Sequence, residues 1–519
     1  MLKESINFKE CIIVNPEKDN VAVSKKDFKA GTAISWKKET VLLKCGIKKG
    51  QRFAIKNIPE GEPIVQYGYT FGISKGIESG DIIHPNKVRD IYTYLNYEIE
   101  SSPPKTLYEK TYRTKTFKGF KREGGKIGTR NYYLIVPTSQ CASETALQIS
   151  RAANERYLEQ GKYKNIDGIA TIPNTEGCGC ASNIQIDRFL LVLMNFVNHP
   201  NIGGTLIVDL GCEQTNYDVL NACIEKINIS PSKTVDWVTI QQEGGTQKTI
   251  KKSLDIIENR LSKVNDIERE QCLVADLIVG TECGASDSFS GITANPLIGS
   301  AIDKIVSNKG SAILSEVPEM IGAEHILIQR MKDRNVISKF KKIMEWYSDI
   351  ANKLGVDMGD NLVPENEAGG LINSCIKSIG AVAKGGTSAI TDILEYGEKL
   401  TKRGLNLMQG PGNDIESVTG MVASGANIIC FSTGKGTVTG NAIVPTIKIS
   451  STTELYEKMP DDIDFDAGSL LSENGNFLKN SLSDDLLGLI IKVASGERTK
   501  SELNRQSQFQ VWTAGKLSL

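Results

Sequence analysis

Two patterns of apolar and polar positions divide the chain into a short N-terminal part and a much longer second part. Over residues 1–98, short apolar runs alternate with turns of the form apolar-x-x-Gly. Glycine permits a positive φ at such turns, and the flanking β-branched residues favour extended chain. We therefore expect a small β-rich domain built from a repeated strand–turn unit, with turns ending at Gly31, Gly50, Gly61 and Gly80.

After residue 116 the pattern changes to apolar runs that end in small or polar residues and are followed by amphipathic stretches. This alternation of strand and helix predicts an α/β fold with a mainly parallel sheet. Residues 99–116 are polar and contain Pro103-Pro104, which is typical of a linker. We predict a catalytic domain over 117–400 and a C-terminal α/β subdomain over 401–519, since EKLTKRG interrupts the pattern near that boundary.

Charge and hydropathy exclude several classes of partner. The 61 Lys+Arg residues balance 62 Asp+Glu residues, so no basic field exists to attract nucleic acid or an anionic membrane. The apolar runs are far shorter than the roughly 20 residues of a membrane helix, and the N-terminus MLKESINFKE lacks the apolar region of a secretory signal. We expect a cytoplasmic protein with a small-molecule substrate, and a homo-oligomer is an open alternative.

Four of the five clearest strand ends carry a cysteine: Cys141, Cys178, Cys212 and Cys283. With eleven cysteines and no export signal, reduced thiols are expected rather than disulfides. Ligands bind beyond the carboxyl ends of parallel strands, so these loops can converge on one metal ion or cluster, which thiolates bind well. The alternative is that the thiols act as small buried hydrophobes, since no CxxC pair is present.

Carboxylates accompany the thiols. Glu176 and Glu213 flank two of them and are candidates for a general base, although a solvated loop charge is the simpler interpretation of either one. Hydroxyl, amide and carboxylate groups are concentrated over 286–296, which suits a polyol or carboxylate ligand or, alternatively, an elaborate helix N-cap. The glycine-rich turn at 432–436 offers Lys435 and backbone amides to an anion, or is a plain turn.

Long motifs in series resemble the altronate and galactarate dehydratases, which act on sugar acids. The resemblance spans nearly the whole chain and is carried by GTRNY (128–132), TEGCG (175–179), LGCE (210–213), CGASDSFSGITANP (283–296), SEVPEMIGAEH (315–325), EAGGL (367–371), GLNLMQGPGND (404–414) and FSTGKG (431–436).

The resemblance implies an N-terminal SAF-like β-clip domain followed by an α/β catalytic region. It also implies loss of water from an aldonate or aldarate to give a 2-keto-3-deoxy acid, assisted by a divalent metal, iron(II), with an iron–sulfur cluster as the alternative cofactor. On this basis we expect metal ligands among the four strand-end thiols, and His84, Glu176 and Glu213 as catalytic residues. The residues expected to bind substrate are Arg130, Asn131, Ser286, Asp287, Thr293, Asn295 and Lys435.

The sequence departs from the family pattern where histidines are usual. Members usually carry several histidines near the end of the β-rich domain, whereas the matching stretch here, Ile82 to Asn86, keeps only His84. A histidine that commonly precedes the GCG motif is replaced by Asn174, and His325 stands where some relatives have glutamine, so we assign it no catalytic role. Two alternatives follow: a related β-elimination lyase of the sulfolactate type, and a non-catalytic paralogue that binds sugar acids.

Overall fold

The computed structural model describes residues 6–36, 39–91, 115–179, 184–226, 233–331, 333–472 and 475–513. Their secondary structure forms an N-terminal β module and two successive α/β units, each built around a parallel sheet. The α/β fold with a small N-terminal β domain is thus confirmed. In these ranges no helix is both long and apolar enough to cross a membrane.

The N-terminal module consists of short strands arranged in three-stranded sheets. Its strands are β1 Ile6–Asn7, β2 Cys11–Ile12, β3 Val21–Ser24, β4 Ala33–Trp36, β5 Glu39–Leu42, β6 Arg52–Ala54, β7 Pro63–Gln66, β8 Tyr69–Ser74 and β9 Val88–Arg89. They pair in the orders β1-β4-β5, β2-β3-β6 and β7-β8-β9.

The predicted glycine turns are confirmed, and they explain the repeat. All four glycines have a positive φ, between 75° at Gly31 and 87° at Gly61. The apolar residues that open the turns pair with each other in two bridges, Phe28 with Ile47 and Ile58 with Ile77. Each pair of repeats therefore closes one small unit of the module.

The first α/β unit contains a four-stranded parallel sheet in the order β13-β12-β14-β15, beside a small antiparallel sheet in the order β11-β10-β16. Its strands are β10 Thr116–Lys121, β11 Ile127–Gly128, β12 Tyr132–Pro137, β13 Gly168–Thr171, β14 Ile202–Asp209, β15 Thr234–Thr239 and β16 Arg269–Leu273. Its helices are α1 Gln140–Ala153, α2 Ile184–Val197, α3 Tyr217–Lys226, α4 Ile240–Glu243 and α5 Thr246–Asn265.

The second α/β unit contains a seven-stranded parallel sheet in the order β19-β20-β18-β17-β21-β22-β23. Its strands are β17 Ile278–Gly284, β18 Ser311–Leu314, β19 Ile390–Leu394, β20 Leu405–Met408, β21 Ile428–Thr433, β22 Thr446–Ser450 and β23 Phe465–Asp466. Its helices are α6 Ala294–Ser307, α7 Glu324–Ile328, α8 Arg334–Leu354, α9 Pro364–Ala368, α10 Ser374–Val382, α11 Asp414–Ala423, α12 Thr453–Lys458, α13 Gly475–Ala494 and α14 Lys500–Leu503.

The N-terminal module shares a hydrophobic core with the seven-stranded unit. Val21, Ala54 and Phe71 of the module are fully buried in the same cluster as Val279 and Leu314 of the large sheet. Burial of about 25 cal/mol per Å² of apolar surface makes such a shared core a firm attachment. The module is thereby held against the carboxyl-end loops of the large sheet.

The two predicted domain boundaries, at the linker and at residue 400, can be compared with the strand order. Most of the predicted linker, residues 99–116, lies outside the described residues. The predicted boundary at residue 400 falls between β19 and β20, which are hydrogen-bonded neighbours in one sheet. The change from one parallel sheet to the other occurs between β15 and β17.

Candidate active site

The strand order places a crevice at the centre of the seven-stranded sheet. From β17 the chain continues to β18, β19 and β20 on one side, and then crosses to β21 on the other side of β17. Ligands in open α/β sheets bind beyond the carboxyl ends of the strands at such a reversal. The loops after β17 and β21, which carry Ser286, Asp287 and Lys435, lie at this point.

Acidic and basic side chains are buried together beside this crevice. Glu282 and Cys283 lie near the carboxyl end of β17, and Glu316 and Glu319 follow β18. The remaining members come from α10, from the 3-10 turn that follows it and from the start of α11. We refer to the set as the carboxylate–lysine cluster: Glu282, Cys283, Glu316, Glu319, Lys377, Lys384 and Asp414.

Direct contacts join most members of the cluster. The ammonium group of Lys384 pairs with Glu316, and both side chains are 1% exposed. Lys377 Nζ lies 2.9 Å from Glu319 Oε1. The Cys283 thiol donates to Glu319 Oε2 at 3.3 Å, so a thiol and two carboxylates meet at one point.

Positive charge is in short supply within the cluster. Two lysines face four carboxyl groups and a thiol, and Glu282 Oε1 is buried without a hydrogen-bond partner among the described residues. Burial and the neighbouring Glu316 raise the pKa of Glu282, and burial together with Glu316 and Glu319 raises that of Asp414 to about 7. An added cation would relieve this imbalance.

Backbone strain is concentrated around the crevice. Glu316, Ala285 and Tyr67 adopt positive φ values of 70°, 51° and 57°, a region that residues other than glycine rarely visit. Such conformations cost about 1–3 kcal/mol each and persist where the surroundings impose them, often at functional sites. Here they set the directions of two loops at the sheet edge and of the module hairpin that faces them.

A small polar cavity adjoins the cluster. It is lined by Tyr67, Ser286, Asp287, Ser290, Asn295 and Lys377, among others. Asp287 Oδ1 accepts hydrogen bonds from Ser290 N at 2.8 Å and Ser290 Oγ at 2.9 Å. Burial raises the pKa of Asp287, and these hydrogen bonds and Lys435 oppose the shift. Lys377 belongs to both the cavity and the cluster and so connects them.

Two of the other predicted substrate-binding groups support the cavity wall. The Thr293 hydroxyl donates to the backbone carbonyls of Phe289 and Ser451. Asn295 donates through its amide nitrogen to Gly380 O at 3.0 Å and accepts from Ser432. Thr293 is thereby occupied in holding the loop, whereas Asn295 lines the cavity, and Lys435 is exposed nearby.

The N-terminal module completes the cavity. Arg52 is fully buried and donates to Ser288 Oγ at 2.8 Å and to the carbonyl of Gly370. A Cβ atom at Gly370 would lie 2.3 Å from Gly50 O, so this approach of module and catalytic unit requires glycine. No local sequence pattern identifies Arg52 or Tyr67 as site residues. The glycines of the EAGGL motif (367–371) are the sequence feature that indicates this contact.

Three of the predicted metal ligands lie together at the carboxyl edge of the four-stranded sheet. Cys141, Cys178 and Cys212 are all exposed, and Cys178 is hydrogen-bonded to Cys141. Desolvation, Cys141, Cys212 and Glu213 together raise the pKa of Cys178. We call these three residues the thiol group. Cys283, the fourth predicted ligand, belongs instead to the carboxylate–lysine cluster.

The GTRNY residues hold other parts of the fold. The Arg130 guanidinium is fully buried and forms a two-pronged ion pair with Glu502, with Nε at 2.6 Å and the second nitrogen at 2.8 Å. Asn131 donates to the carbonyls of Asn165 and Val264. Both side chains are therefore engaged in joining chain segments, and their predicted role in binding substrate stays a prediction.

Two of the three predicted catalytic residues, Glu176 and Glu213, lie beside the thiol group, whereas His84 lies in the N-terminal module. Glu213 is buried and accepts from Thr138 Oγ1 at 2.7 Å and Gly211 N at 2.7 Å; such hydrogen bonds outweigh burial and lower its pKa. Glu176 is half-buried and accepts from Thr175. His84 is exposed, and its Nδ1 accepts from Asn86 N at 3.4 Å. Their catalytic roles stay predictions.

Three family models match this chain in series. They are the altronate/galactarate dehydratase SAF domain over 9–90, the second domain of D-galactarate dehydratase/altronate hydrolase over 119–265, and the D-galactarate/altronate dehydratase C-terminal domain over 274–517. Their limits coincide with the N-terminal module and the two parallel sheets.

Three relatives align with between 76% and 96% of this chain. An altronate dehydratase of Bacillus subtilis is 32% identical over 503 residues, covering 96% of this chain and 98% of the relative. A galactarate dehydratase (L-threo-forming) of Escherichia coli is 32% identical and covers 92% of each chain. The beta subunit of a (2R)-sulfolactate sulfo-lyase of Chromohalobacter salexigens is 27% identical over 76% of this chain and 96% of the relative.

Proposed function

This chain belongs to the altronate and galactarate dehydratase family, and we propose that it is a sugar-acid hydro-lyase whose substrate is an altronate-like aldonate or aldarate. Its product would be the 2-keto-3-deoxy acid. The observation that carries this proposal is the juxtaposition of a buried carboxylate–lysine cluster and a polar cavity at the sheet reversal. The polar lining of this cavity matches the carboxylate and hydroxyl groups of a hydroxy acid in chemical type.

A divalent metal fits the cluster. Cys283, Glu316 and Glu319 offer three ligand atoms within 4.8 Å of one another, and iron(II) accepts thiolate and carboxylate ligands. When bound, the metal would supply positive charge to stabilise the enediolate that forms as the α-proton leaves. The surplus of acids over lysines and the unpartnered Glu282 Oε1 support a cation at this place.

The chain's own residues bind the substrate and move its protons. Lys377 lines the cavity and Lys435 interacts with Asp287 in its wall, and both would hold the substrate carboxylate. Asp414, half-buried with a pKa of about 7, is suited to take the α-proton or to give a proton to the departing hydroxyl. The hydroxyl leaves as water, and the resulting enol becomes the 2-keto acid.

The thiol group supports the alternative cofactor. Three exposed cysteines on separate loops can bind an iron–sulfur cluster, which takes cysteine thiolates as ligands. The groups that act on Cys178 and those that act on Cys283 have no residue in common. The thiol group and Cys283 can therefore be tested separately.

Anaerobic turnover with added iron(II) tests the proposal. Purified protein is incubated with altronate, galactarate and 2-sulfolactate, and both 2-keto-3-deoxy acids and sulfite are measured. We expect a keto-deoxy product from a sugar acid. Release of sulfite alone would favour the sulfolactate-type lyase, and binding of sugar acid without any product would favour a non-catalytic paralogue.

A matched pair of variants tests the metal site. Cys283→Ser should reduce both turnover and tightly bound iron, while Cys45→Ser, in the N-terminal module, should change neither. Normal iron content and turnover in Cys283→Ser would remove the cluster from the mechanism.

A further inference from the structure

A second cavity, of about 270 Å³, lies at the opposite edge of the seven-stranded sheet. Ile278 and Ser311, which begin β17 and β18, line it together with residues 125–127 and 198–200 of the first α/β unit. Four to five residue steps of about 3.3 Å along β17 lead from Ile278 to Glu282 and Cys283, so the cavity lies roughly 15 Å from the carboxylate–lysine cluster. It is therefore a separate site between the two α/β units.

Positive charge is concentrated on this cavity. Lys126, Lys399 and Arg403 line it, whereas Asp276 is the one acid among its described lining residues. Asp276 pairs with Arg403 at 3.4 Å. Within the described part of the chain, neither Lys126 nor Lys399 forms an ion pair, so two ammonium groups face the cavity uncompensated.

Further cations lie close behind the wall. Lys233 donates to the carbonyl of His199 at 2.7 Å, and its pKa is lowered by burial and then by Arg122, Lys126 and Lys399. His199 adds no charge, because burial holds its pKa at about 3. The cations therefore repel one another, and an anion between them would be stabilised.

Apolar side chains alternate with neutral polar ones, among them Asn195, Asn198 and Asn427, over the rest of the lining. Ile127, Ile278 and Leu400 contribute to the walls. A simple inorganic ion would leave these side chains without contact, whereas an organic anion would cover them. Cavities of this size with apolar walls and a few convergent charges are typical of small-molecule sites.

We propose that this interdomain cavity binds a small organic anion carrying two negative charges. Either a dicarboxylate or a phosphate monoester has the required chemistry. The inference concerns a site separate from the proposed dehydratase site and does not depend on that activity.

Thermal unfolding and titration calorimetry of the full chain test the inference. The probes are succinate and glycerol 3-phosphate, with sodium chloride at equal ionic strength and uncharged 1,4-butanediol as references. We expect at least one dianion to raise the Tm by several degrees beyond sodium chloride, since a ligand that binds the folded state stabilises it. The probe that acts identifies the class of ligand.

Variants locate the effect. Lys399→Met, alone and combined with Lys126→Met, should weaken binding of the active probe at least ten-fold. Without ligand, the Tm of each variant should equal or exceed that of the wild type, because repulsion between the lysines is removed. Lys263→Met, an exposed lysine on α5, should bind as the wild type does. The inference is overturned if neither dianion acts beyond sodium chloride, or if both Lys399 variants keep full binding.

Discussion

The two parallel sheets carry cysteines at corresponding edges, yet they surround them differently. At the four-stranded sheet the thiol group is exposed and lies beside two hydrogen-bonded carboxylates, Glu176 and Glu213. At the seven-stranded sheet Cys283 is 3% exposed and surrounded by charged side chains that are also buried. The same motif position therefore provides a group of accessible thiols in one unit and a desolvated, strongly interacting cluster in the other.

This contrast shows that burial determines how strongly the groups at a strand end affect one another. In water, opposite charges at about 4 Å attract by about 1 kcal/mol, and the attraction grows several-fold near or below a protein surface. The N-terminal module covers the seven-stranded edge and so removes it from water. We expect substitutions at the buried edge to change stability and catalysis together, and substitutions at the exposed edge to change metal binding alone.

The largest effect is expected from Lys384→Met. It would leave Glu316 buried without its partner, which costs about 3–5 kcal/mol in unfolding free energy. Urea denaturation measures this change, with Lys263→Met as a control expected within about 0.5 kcal/mol of the wild type. A loss below about 1 kcal/mol for Lys384→Met would show that water reaches this edge.

A buried acid outside the cluster gives a pH-dependent effect. Burial raises the pKa of Glu324 from 4.5 to about 7, so the folded state binds this proton more tightly than the unfolded state does. The stability that this proton provides is present below pH 4.5 and is lost as the pH rises to about 7, at about 1.4 kcal/mol per pKa unit. Glu324→Gln should therefore exceed the wild type in stability by about 3 kcal/mol at pH 8.

Unfolding at pH 4.5 and pH 8 measures this difference between the two proteins. Glu345→Gln, an exposed residue of α8, is the control and should show no such pH dependence. An equal stability of Glu324→Gln and wild type at both pH values would mean that Glu324 is solvated.

A smaller effect is expected at the exposed rim of the cavity. Lys435→Met removes a cation that we propose binds the substrate carboxylate, and hydrogen bonds to charged groups contribute about 1.5–3 kcal/mol. We expect kcat/KM to fall about 10- to 150-fold while unfolding remains unchanged. Steady-state kinetics with the active sugar acid measure this, and unchanged kinetics would exclude Lys435 from binding.

The smallest stability effect is expected at the thiol group. Cys178 is exposed, so Cys178→Ala should shift the unfolding free energy by no more than about 0.5 kcal/mol. If the thiol group holds iron, the iron content per chain should nevertheless fall. A large loss of stability in the metal-free variant would indicate that this edge is packed like the other.

Local pattern was sufficient to predict much of the fold. The glycine turns, the strand–helix alternation and the five strand runs with chemistry at their ends follow from backbone sterics and apolar periodicity over a few residues. The grouping of three strand-end cysteines also follows, because parallel strands bring their carboxyl ends to one edge.

Long-range packing decided the rest. Tyr67 lines the cavity and Arg52 holds the loop at Ser288, each from more than 200 residues away along the chain. Arg130, which looks suited to a substrate carboxylate, is paired with Glu502. Sequence spacing cannot predict such pairs, since the free energy of a buried charge depends on which groups surround it.

The sequence by itself thus determined the elements, their order and the chemical types available at each strand end. Only the tertiary structure decided which of those groups lose their water, and desolvation is what turns Cys283, Glu316 and Lys384 into one interacting cluster.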